Sequence, residues 1–457
     1  MAFMGKNYLI TNECGMRLFE TIKDLPVIDP HNHANVKEIA DNGCYRDAWQ
    51  LFAATDHYVW EMMRKRGVPE ALITGKDASG KEKFLALAKI FPEVAGNPVY
   101  EWIHLDLKRY FGINDLLCEA NGEKIYDEVT AKLATDAYRP QALLAGPLNV
   151  EVMCSTDDLI DTLEDHERAN KAFGRVVIRP TWRPDKAMKI FAPGWRKYMD
   201  QVAERFGFAL NSFADLMRAT EMSHEYFEAR GCRASDHGIE VPLRADYDLA
   251  DADKAFRKAM AGEVLTKEET DCFMGAFLAE AAELNAKSDW MTQLHLGAVR
   301  DVRASLYDNL GPDVGGDISD HYLDYAPALC NFLNRFDNRL KVVLYCLEAS
   351  HQGTLATIAR AFGEKVSLGS AWWLLDTPVG MRRQLEYIGS ADTFSNFAGM
   401  VSDSRKLLSY GSRFEMFRRV LCDVIGAHVE RGQIPEEIAA NLVRRMAYDG
   451  TKKFWNL

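Results

Sequence analysis

Eight short β-rich runs, each ending in small or polar residues, limit the possible folds of this 457-residue chain more than any other feature. They lie at 27–29, 150–155, 175–181, 231–236, 292–295, 342–347, 366–370 and 399–403. Helical patterns separate the later runs, at 354–362 after the sixth run and at 380–388 after the seventh. Eight strands that alternate with helices are typical of a (β/α)8 barrel, so we predict an α/β fold of the TIM-barrel type.

A long interval separates the first run from the second, and its apolar residues recur with helical periodicity. The clearest helices in this interval are predicted at 58–66, 80–90 and 100–110. No stretch rich in Gly, Pro or Ser flanks the interval, which argues against a separate helical domain. A helical insertion after the first strand of a distorted barrel fits the pattern better.

The sequence therefore divides into three parts. Residues 1–33 would hold the N-terminal segment and the first barrel strand, and residues 34–145 the largest helical insertion. Residues 146–457 would complete the barrel, with a further helical excursion near 184–290. Two amphipathic patterns late in the sequence predict C-terminal helices.

The charge balance argues against two classes of partner. The chain has 67 acidic and 55 basic residues and a net charge of −12, so neither nucleic acid nor an anionic membrane would find a basic surface. An anionic small-molecule substrate would also meet this negative field. Local arginines in the binding site would have to overcome it.

Two further features bear on location. No apolar run approaches the roughly 20 residues that a membrane-spanning helix needs, and residues 1–12 lack the apolar core of a signal peptide. The nine cysteines are scattered without a Cys-x-x-Cys pair, which argues against a disulfide framework and a zinc ribbon. We therefore expect a cytoplasmic protein with reduced cysteines. Because homo-oligomers are common among barrels of this size, we also expect a homo-oligomer.

His31 and His33 form a His-x-His pair directly after the first run. Residues two apart in an extended strand project to the same side, so both imidazoles can reach one point. Taken alone, such a pair is often a chance arrangement of surface residues. Asp236, His295 and Asp403 also end apolar runs, and a barrel brings the carboxyl ends of its strands to one face. Two histidines and a carboxylate are enough to bind a divalent metal ion with one open coordination position.

Eight dispersed motifs carry a resemblance to a known family. They are LPVIDPHNH at 25–33, DHYVW at 56–60, GVP at 67–69, TWRPD at 181–185, QLHLGAVR at 293–300, GPD at 311–313, AWW at 371–373, and SDSR at 402–405 with FRR at 417–419. In this order, the motifs resemble those of the uronate isomerase (glucuronate isomerase) family of the amidohydrolase superfamily. The resemblance implies a distorted (β/α)8 barrel with a helical insertion after the first strand. It also implies reversible conversion of D-glucuronate to D-fructuronate and of D-galacturonate to D-tagaturonate.

The resemblance also implies roles for individual residues. The metal ligands would be His31, His33 and Asp403. The residues that it places in catalysis are His57, Tyr58, Asp236, His295 and Asp403. Those that it places around the sugar are Arg183, Arg300, Trp372, Trp373 and Arg405. The segments 300–303 and 348–351 depart from the family's usual pattern, so the preferred uronate stays open.

The chemistry of an aldose–ketose isomerase can be compared with these residues directly. A proton moves from C2 to C1 through an enediol, which requires a base and a polarised carbonyl oxygen. Tyr58, His57 and the metal-linked Asp403 are candidate proton carriers, and the sequence does not rank them. A tyrosine has an ordinary pKa near 10 and would need a cationic neighbour to act as a base, whereas a carboxylate is ionised but weakly basic.

Binding of the substrate and of the metal has its own requirements. A guanidinium meets a carboxylate through two parallel hydrogen bonds, so Arg183, Arg300 and Arg405 are candidates for the sugar carboxylate. Imidazole and carboxylate ligands suit several divalent ions. We expect one ion, with zinc as the first choice and manganese or iron as alternatives.

Two other functions stay open. The first is a mononuclear metal-dependent hydrolase of the amidohydrolase superfamily, in which Asp403 would shuttle the proton. A two-metal hydrolase is disfavoured, because no lysine lies between Gly231 and Arg244 and the sixth run lacks a terminal histidine. The second is a metal-stabilised barrel that binds sugars without catalysis.

Overall fold

The computed structural model describes residues 3–457 as an α/β fold of parallel strands and many helices. The strands are β1 (Val27–Asp29), β2 (Val150–Cys154), β3 (Asp157–Asp158), β4 (Val177–Arg179), β5 (Trp182–Arg183), β6 (Ala234–Ile239), β7 (Met291–Leu296), β8 (Ala298–Val299), β9 (Ile318–Ser319), β10 (Lys341–Cys346) and β11 (Val366–Leu368). The helices before β6 are α1 (Glu13–Ile22), α2 (Val36–Asp41), α3 (Ala48–Phe52), α4 (His57–Lys65), α5 (Gly80–Ile90), α6 (Pro98–Tyr110), α7 (Gly122–Leu133), α8 (Pro140–Ala145), α9 (Glu164–Ala172), α10 (Asp185–Met188), α11 (Trp195–Phe206) and α12 (Phe213–Glu228). The later helices are α13 (Leu249–Met260), α14 (Lys267–Lys287), α15 (Ala304–Leu310), α16 (Ala326–Arg335), α17 (Gln352–Ala361), α18 (Pro378–Ala391), α19 (Ser409–Glu430), α20 (Glu436–Arg444) and α21 (Gly450–Trp455).

The main strands are parallel and lie side by side in chain order. One sheet has the order β1-β2-β4 and the other β11-β10-β7-β6-β5-β3, and within residues 3–457 only the short pair β8 and β9 is antiparallel. Because β3 follows β2 directly and β5 follows β4, the two sheets are linked by strands that continue from one into the other. This order is consistent with a TIM-barrel-like fold.

The eighth predicted strand, at 399–403, is not a regular strand in the structure, and the prediction is wrong in this respect. The segment still bridges its expected neighbours. The amide of Val401 donates to Oγ of Ser370 at 3.2 Å, and the amide of Asp403 donates to the carbonyl of His31 at 3.1 Å. A side-chain oxygen replaces a ladder carbonyl on one side, and Asp403 has a φ of +47°, so the regular strand pattern is broken.

The fourth predicted strand is displaced toward the C terminus. It was expected at 231–236, but β6 starts at Ala234 and continues to Ile239. Gly231 has a φ of +85° in the turn that ends α12, and this turn precedes the strand. Asp236 therefore lies within β6, with its side chain among the other strands, rather than at the carboxyl end.

Helices fill the intervals between the strands. The helices predicted at 58–66, 80–90 and 100–110 are confirmed as α4, α5 and α6, and α2 to α8 all lie between β1 and β2. Helices α10 to α12 precede β6, and α13 and α14 follow it. The long helix α19 packs against α1 and α18, and it joins the C-terminal helices to the N-terminal segment.

Most buried apolar side chains belong to one large cluster, and two smaller clusters contain residues of the strands. All residues of β6 and β7 are buried, as expected for parallel strands with helices packed outside them. None of the nine cysteines, all of which lie within residues 3–457, forms a disulfide, which agrees with the sequence prediction. Among the described helices, none is both long enough and apolar enough to cross a membrane.

Candidate active site

Strand β1 delivers the two histidines of the His-x-His pair to one edge of the sheet. His31 and His33 follow Asp29, the last residue of β1, and Asn32 between them is fully buried. The Asn32 side chain donates to the carbonyl of Cys154, at the end of β2, at 2.8 Å. This bond fixes the backbone between the two imidazoles.

His31, His33 and Asp403 bring three potential metal ligands together, and we call them the outer cluster. Nε2 of His31 lies 3.0 Å from Oδ1 of Asp403, and Nε2 of His33 lies 3.2 Å from the same oxygen. The left-handed φ of Asp403, +47°, is uncommon outside glycine. Such conformations cluster at functional sites, where the surrounding structure holds them.

The donor set of the outer cluster fits a divalent metal ion. One ligand atom from each residue lies within 4.8 Å of the others. Burial raises the pKa of Asp403, but hydrogen bonds from the two histidines outweigh it and hold this pKa well below its ordinary value. Burial lowers the pKa of His33. An ionised carboxylate and a neutral imidazole are the forms that bind metal.

His31 also belongs to a second group, the inner cluster, which it forms with Asp236 and His295. Nδ1 of His295 lies 2.7 Å from Oδ1 of Asp236, and Nδ1 of His31 lies 3.8 Å from Oδ2. Burial lowers the pKa of His295 to about 4, so its ring is neutral. It therefore donates through Nδ1, and its Nε2, which has no partner among the described residues, is left as an acceptor.

Arg183 gives the inner cluster a different role from the outer cluster. Its Nη1 lies 3.1 Å from Oδ2 of Asp236. Burial raises the pKa of Asp236, but the Arg183 cation outweighs it, together with His295 and His31, and holds this pKa well below its ordinary value. Because the guanidinium already neutralises this carboxylate, Asp236 is less suited than Asp403 to bind a metal ion.

A cradle around Arg183 holds its guanidinium in place. Nε of Arg183 donates to Oδ2 of Asp185 at 3.2 Å, and the same oxygen accepts from the amide of Gly238 at 2.8 Å. A Cβ on Gly238 would lie 2.5 Å from Nη2 of Arg183, so a side chain here would displace the guanidinium. His237, next to Asp236 in sequence, points to the other side of β6 and lies 3.4 Å from Oδ1 of Asp185.

The first turn of α4 carries His57 and Tyr58 to the site. Asp56 caps this helix, because its Oδ1 accepts from the amide of Tyr58 at 3.0 Å. Its Oδ2 lies 2.7 Å from Nζ of Lys406, and both side chains are 4% exposed. This buried ion pair joins α4 to the segment that follows Asp403. Removing one partner of such a pair typically costs about 3–5 kcal/mol.

Tyr58 is protonated in this environment. Its hydroxyl donates to Oδ1 of Asp376 at 2.6 Å and accepts from the amide of Leu374 at 2.8 Å. Burial and the Asp376 carboxylate raise the pKa of Tyr58 well above its ordinary value. Tyr58 can therefore accept a proton only when its own proton leaves.

Arg300 and Arg405 supply further positive charge. The guanidinium of Arg300 lies 4.9 Å from the ring centre of Trp373. Arg405 donates to Nε2 of His57 and forms an ion pair with Asp313. Burial and the Arg405 cation lower the pKa of His57, so this imidazole is neutral. Arg300 also forms an ion pair with Asp317 at 2.8 Å, so both of these cations have a carboxylate partner.

One cavity of about 400 Å³ brings together every predicted site residue except Asp236. The predicted residues that line it are His31, His33, His57, Tyr58, Arg183, His295, Arg300, Trp372, Trp373, Asp403 and Arg405. Asp236 is fully buried directly behind the wall, where it contacts His295 and Arg183. The residues expected from distant parts of the sequence therefore meet in one place.

The chain is similar to known proteins over nearly its whole length. Residues 1–455 match the family model described as glucuronate isomerase. A curated uronate isomerase of Thermotoga maritima is 48% identical over 450 residues, which cover 98% of this chain and 99% of that protein. The chain belongs to the glucuronate isomerase family.

Solved structures of glucuronate isomerase family members extend the likeness to three dimensions. The crystal structure of uronate isomerase from T. maritima has a TM-score of 0.97 at 48% identity and covers 100% of both chains. That of glucuronate isomerase from Caulobacter crescentus has a TM-score of 0.95 at 27% identity and covers 100% of this chain and 97% of that chain. The family resemblance predicted from the dispersed motifs is confirmed.

Family membership also decides among the activities that the sequence left open. The relatives are named as isomerases, and the match extends over their full lengths. The hydrolase and the non-catalytic sugar-binding protein receive no comparable support. Of the three functions that the sequence left open, membership of the glucuronate isomerase family supports the isomerase.

Several buried carboxylates next to the site were not assigned a role from the sequence. Asp29, Asp56 and Asp185 each lie within two residues of a predicted site residue, and this proximity was a usable local signal. Oδ1 of Asp29 accepts from the amide of Ser402 at 2.9 Å and so joins β1 to the outer cluster. Asp376 had no local signal, because it meets Tyr58 across 318 positions of sequence.

The FRR motif at 417–419 lies outside the cavity. Nη1 of Arg418 donates to the carbonyl of Lys23 at 3.0 Å, and Nη2 donates to the carbonyl of Pro26 at 2.8 Å. These bonds hold the start of β1 against α19. The motif therefore supports the fold of this chain through main-chain contacts at the opposite end of the strand from His31.

Proposed function

We propose that this protein is an aldose–ketose isomerase that interconverts D-glucuronate and D-fructuronate, and D-galacturonate and D-tagaturonate. The observation that carries the proposal is the convergence of a metal-ligand set and three arginines in one cavity. A uronate requires both, because its carbonyl oxygen must be polarised and its carboxylate must be bound. The names of the full-length relatives supply the substrate class.

His31, His33 and Asp403 would hold one divalent metal ion, with zinc as the first choice and manganese or iron as alternatives. When bound, the ion would act as a Lewis acid toward an oxygen of the sugar. Asp236, 3.8 Å from Nδ1 of His31, would act on that imidazole through its negative charge, because this distance is longer than a hydrogen bond. The outer cluster would thus be the metal centre, and the inner cluster would support it.

The three arginines would divide the binding of the sugar acid among them. Arg183 is held by the buried carboxylates of Asp185 and Asp236, and we expect it to keep those side chains in position. Asp313, the partner of Arg405, is 51% exposed, so a substrate carboxylate can compete with it for this guanidinium. Arg300 would assist from the neighbouring wall. The sugar ring would pack against two buried indoles, those of Trp372 and Trp373.

Of the three candidate proton carriers, His57 is the least suited. Nε2 of His57 already accepts from Arg405, so its basic nitrogen is occupied. His57 would therefore position Arg405, which leaves Tyr58 and Asp403 as the groups that move protons. Nε2 of His295 would accept from a sugar hydroxyl, because the neutral ring donates through Nδ1 to the carboxylate behind it.

The finer architecture is part of the same proposal. The two sheets would close into one distorted (β/α)8 barrel through the segment 399–403, which bonds to residues at the ends of β1 and β11. Residues 34–145 would form an insertion that brings His57 and Tyr58 to the barrel mouth. The homo-oligomeric state and the cytoplasmic location stay predictions.

Proton NMR tests the proposed reaction. The purified protein, supplied with zinc or manganese, is incubated in deuterated water with D-glucuronate and separately with D-galacturonate. We expect signals of the corresponding ketose together with exchange of the C2 proton. If neither ketose nor exchange appears with either metal, the isomerase proposal is wrong.

A further inference from the structure

The hydroxyl of Tyr58 has two hydrogen-bond partners, and neither of these residues lines the cavity. It donates to Oδ1 of Asp376 at 2.6 Å and accepts from the amide of Leu374 at 2.8 Å. A phenolic oxygen carries one proton and can accept more than one hydrogen bond. With its proton directed at Asp376, the hydroxyl has only acceptor capacity left for a ligand in the cavity.

Asp376 is held as a charged acceptor by Arg413. Nη1 of Arg413 donates to Oδ2 of Asp376 at 2.7 Å, and both side chains are 3% exposed. Burial raises the pKa of Asp376 above its ordinary value, although Arg413 opposes this. The carboxylate is therefore a better proton acceptor than an exposed aspartate, and it lies within hydrogen-bond distance of the tyrosine.

Arg413 has two further contacts. It also donates to the carbonyl of Ser402 at 2.9 Å, and its guanidinium lies 4.2 Å from the ring centre of Trp102. Neither of these groups carries a negative charge, so Asp376 is the charge partner of this buried guanidinium as well as the acceptor for Tyr58. A neutral variant of Asp376 is therefore expected to lower the stability of the fold in addition to its effect on Tyr58.

We infer that Asp376 is a positioning residue that turns the proton of Tyr58 away from the cavity, so that Tyr58 meets the sugar as a hydrogen-bond acceptor. This inference rests on the proposed isomerase function. It assigns a role to a residue that contacts neither the cavity nor the outer cluster. It also states which way the Tyr58 proton points.

The arrangement defines a proton transfer that balances. When the oxygen of Tyr58 takes the proton of a sugar hydroxyl, the sugar O–H bond breaks and a new O–H bond forms on Tyr58. The original proton of Tyr58 passes to Oδ1 of Asp376, and the negative charge of that carboxylate is transferred to the sugar oxygen. No electrons are gained or lost and no co-reactant is needed, while Arg413 stays protonated throughout.

A double-mutant cycle with Asp376→Asn and Tyr58→Phe tests this inference. Asparagine keeps the size of the side chain and an oxygen for the tyrosine, but it cannot take up the proton. We expect each single variant to lower kcat by about 100-fold, the lower end of what a positioned proton carrier contributes, with KM and metal content little changed. We expect the double variant to be no slower than the slower single variant, because residues that act as a unit are not additive.

Asp423→Asn is the matched control. Asp423 is also buried and paired with an arginine, Arg382, but it lies outside the cavity. This variant should keep the wild-type kcat. If Asp376→Asn does not fold, the cycle is run with Asp376→Glu, which keeps the charge and moves it by one methylene.

The outcomes separate this inference from the proposed function. A wild-type protein that forms no ketose contradicts the function itself. If the wild type is active and the two single effects multiply in the double variant, Asp376 and Tyr58 act independently and the inference is wrong. An increase in KM with unchanged kcat, or an equal loss of kcat in Asp423→Asn, overturns it as well.

Discussion

The outer and inner clusters contain the same kinds of residue and share His31, yet the residues around them differ, and so do the roles that we expect for them. In the outer cluster, two imidazoles and one carboxylate face a cavity. In the inner cluster, the carboxylate of Asp236 already has a cation, because Nη1 of Arg183 lies 3.1 Å away. The two clusters therefore differ in a neighbouring residue, Arg183, and not in their own residue types.

His31 belongs to both clusters because its two ring nitrogens face different carboxylates. Nε2 of His31 points to Asp403 at 3.0 Å, and Nδ1 points toward Asp236 at 3.8 Å. At 3.8 Å this second contact is longer than a hydrogen bond, and the Asp236 carboxylate acts on His31 through its charge, which raises the pKa of the imidazole against the opposing effect of burial. The inner cluster thus acts on the outer cluster through a single imidazole ring.

Removing a ligand of the outer cluster should have the largest effect. For His33→Ala we expect metal per chain and activity to fall by more than the roughly 10- to 100-fold that is typical when an outer-shell partner is lost. Elemental analysis and the isomerase assay measure the two quantities. His321→Ala, a variant of an exposed histidine, is the control and should change neither. Unchanged metal content in His33→Ala would show that the outer cluster is not the ligand set.

Neutralising the inner cluster should have an intermediate effect. Asp236→Asn keeps an oxygen for His295 but removes the negative charge behind His31, so we expect metal affinity to fall by about 10- to 100-fold. Competition with a chelator measures this affinity. An affinity equal to that of the wild type would mean that Asp236 does not support the metal centre, and complete loss of metal would mean that it is itself a ligand.

Crowding the cradle of Arg183 should have the smallest effect and should not affect the metal. The added Cβ of Gly238→Ala would lie 2.5 Å from Nη2 of Arg183 and displace the guanidinium. Overpacking typically costs about 1–3 kcal/mol, so we expect KM to rise by about tenfold, which corresponds to 1.4 kcal/mol. Gly43→Ala, where a Cβ would meet nothing within 4 Å, is the control. Loss of metal in Gly238→Ala would contradict this expectation and would mean that the metal site depends on the position of Arg183.

The sequence was informative where local pattern and chemistry coincide. The parallel strands, the helices α4 to α6, and the candidate ligands His31 and His33 follow from periodicity and from the position of polar residues after apolar runs. The meeting of these residues with Asp403 in one cavity also followed, because a barrel gathers strand ends from the whole chain.

The remaining features depend on contacts that no local pattern encodes. Asp236 lies within β6 because the preceding turn displaces the strand, and its partner Arg183 comes from a different strand. Asp376 acquires its role only when the segment after β11 packs against α4, which carries Tyr58. The irregular segment 399–403 could not be told from a strand by composition, since its irregularity comes from a side-chain bond to Ser370 and the left-handed backbone of Asp403.

Anomalous X-ray diffraction from crystals supplied with zinc, recorded at the zinc absorption edge, tests directly whether the outer cluster holds the metal ion. We expect one anomalous peak per chain, bounded by Nε2 of His31, Nε2 of His33 and the carboxylate of Asp403. A peak between Asp236 and His295, or no peak at the outer cluster at saturating zinc, would contradict this expectation.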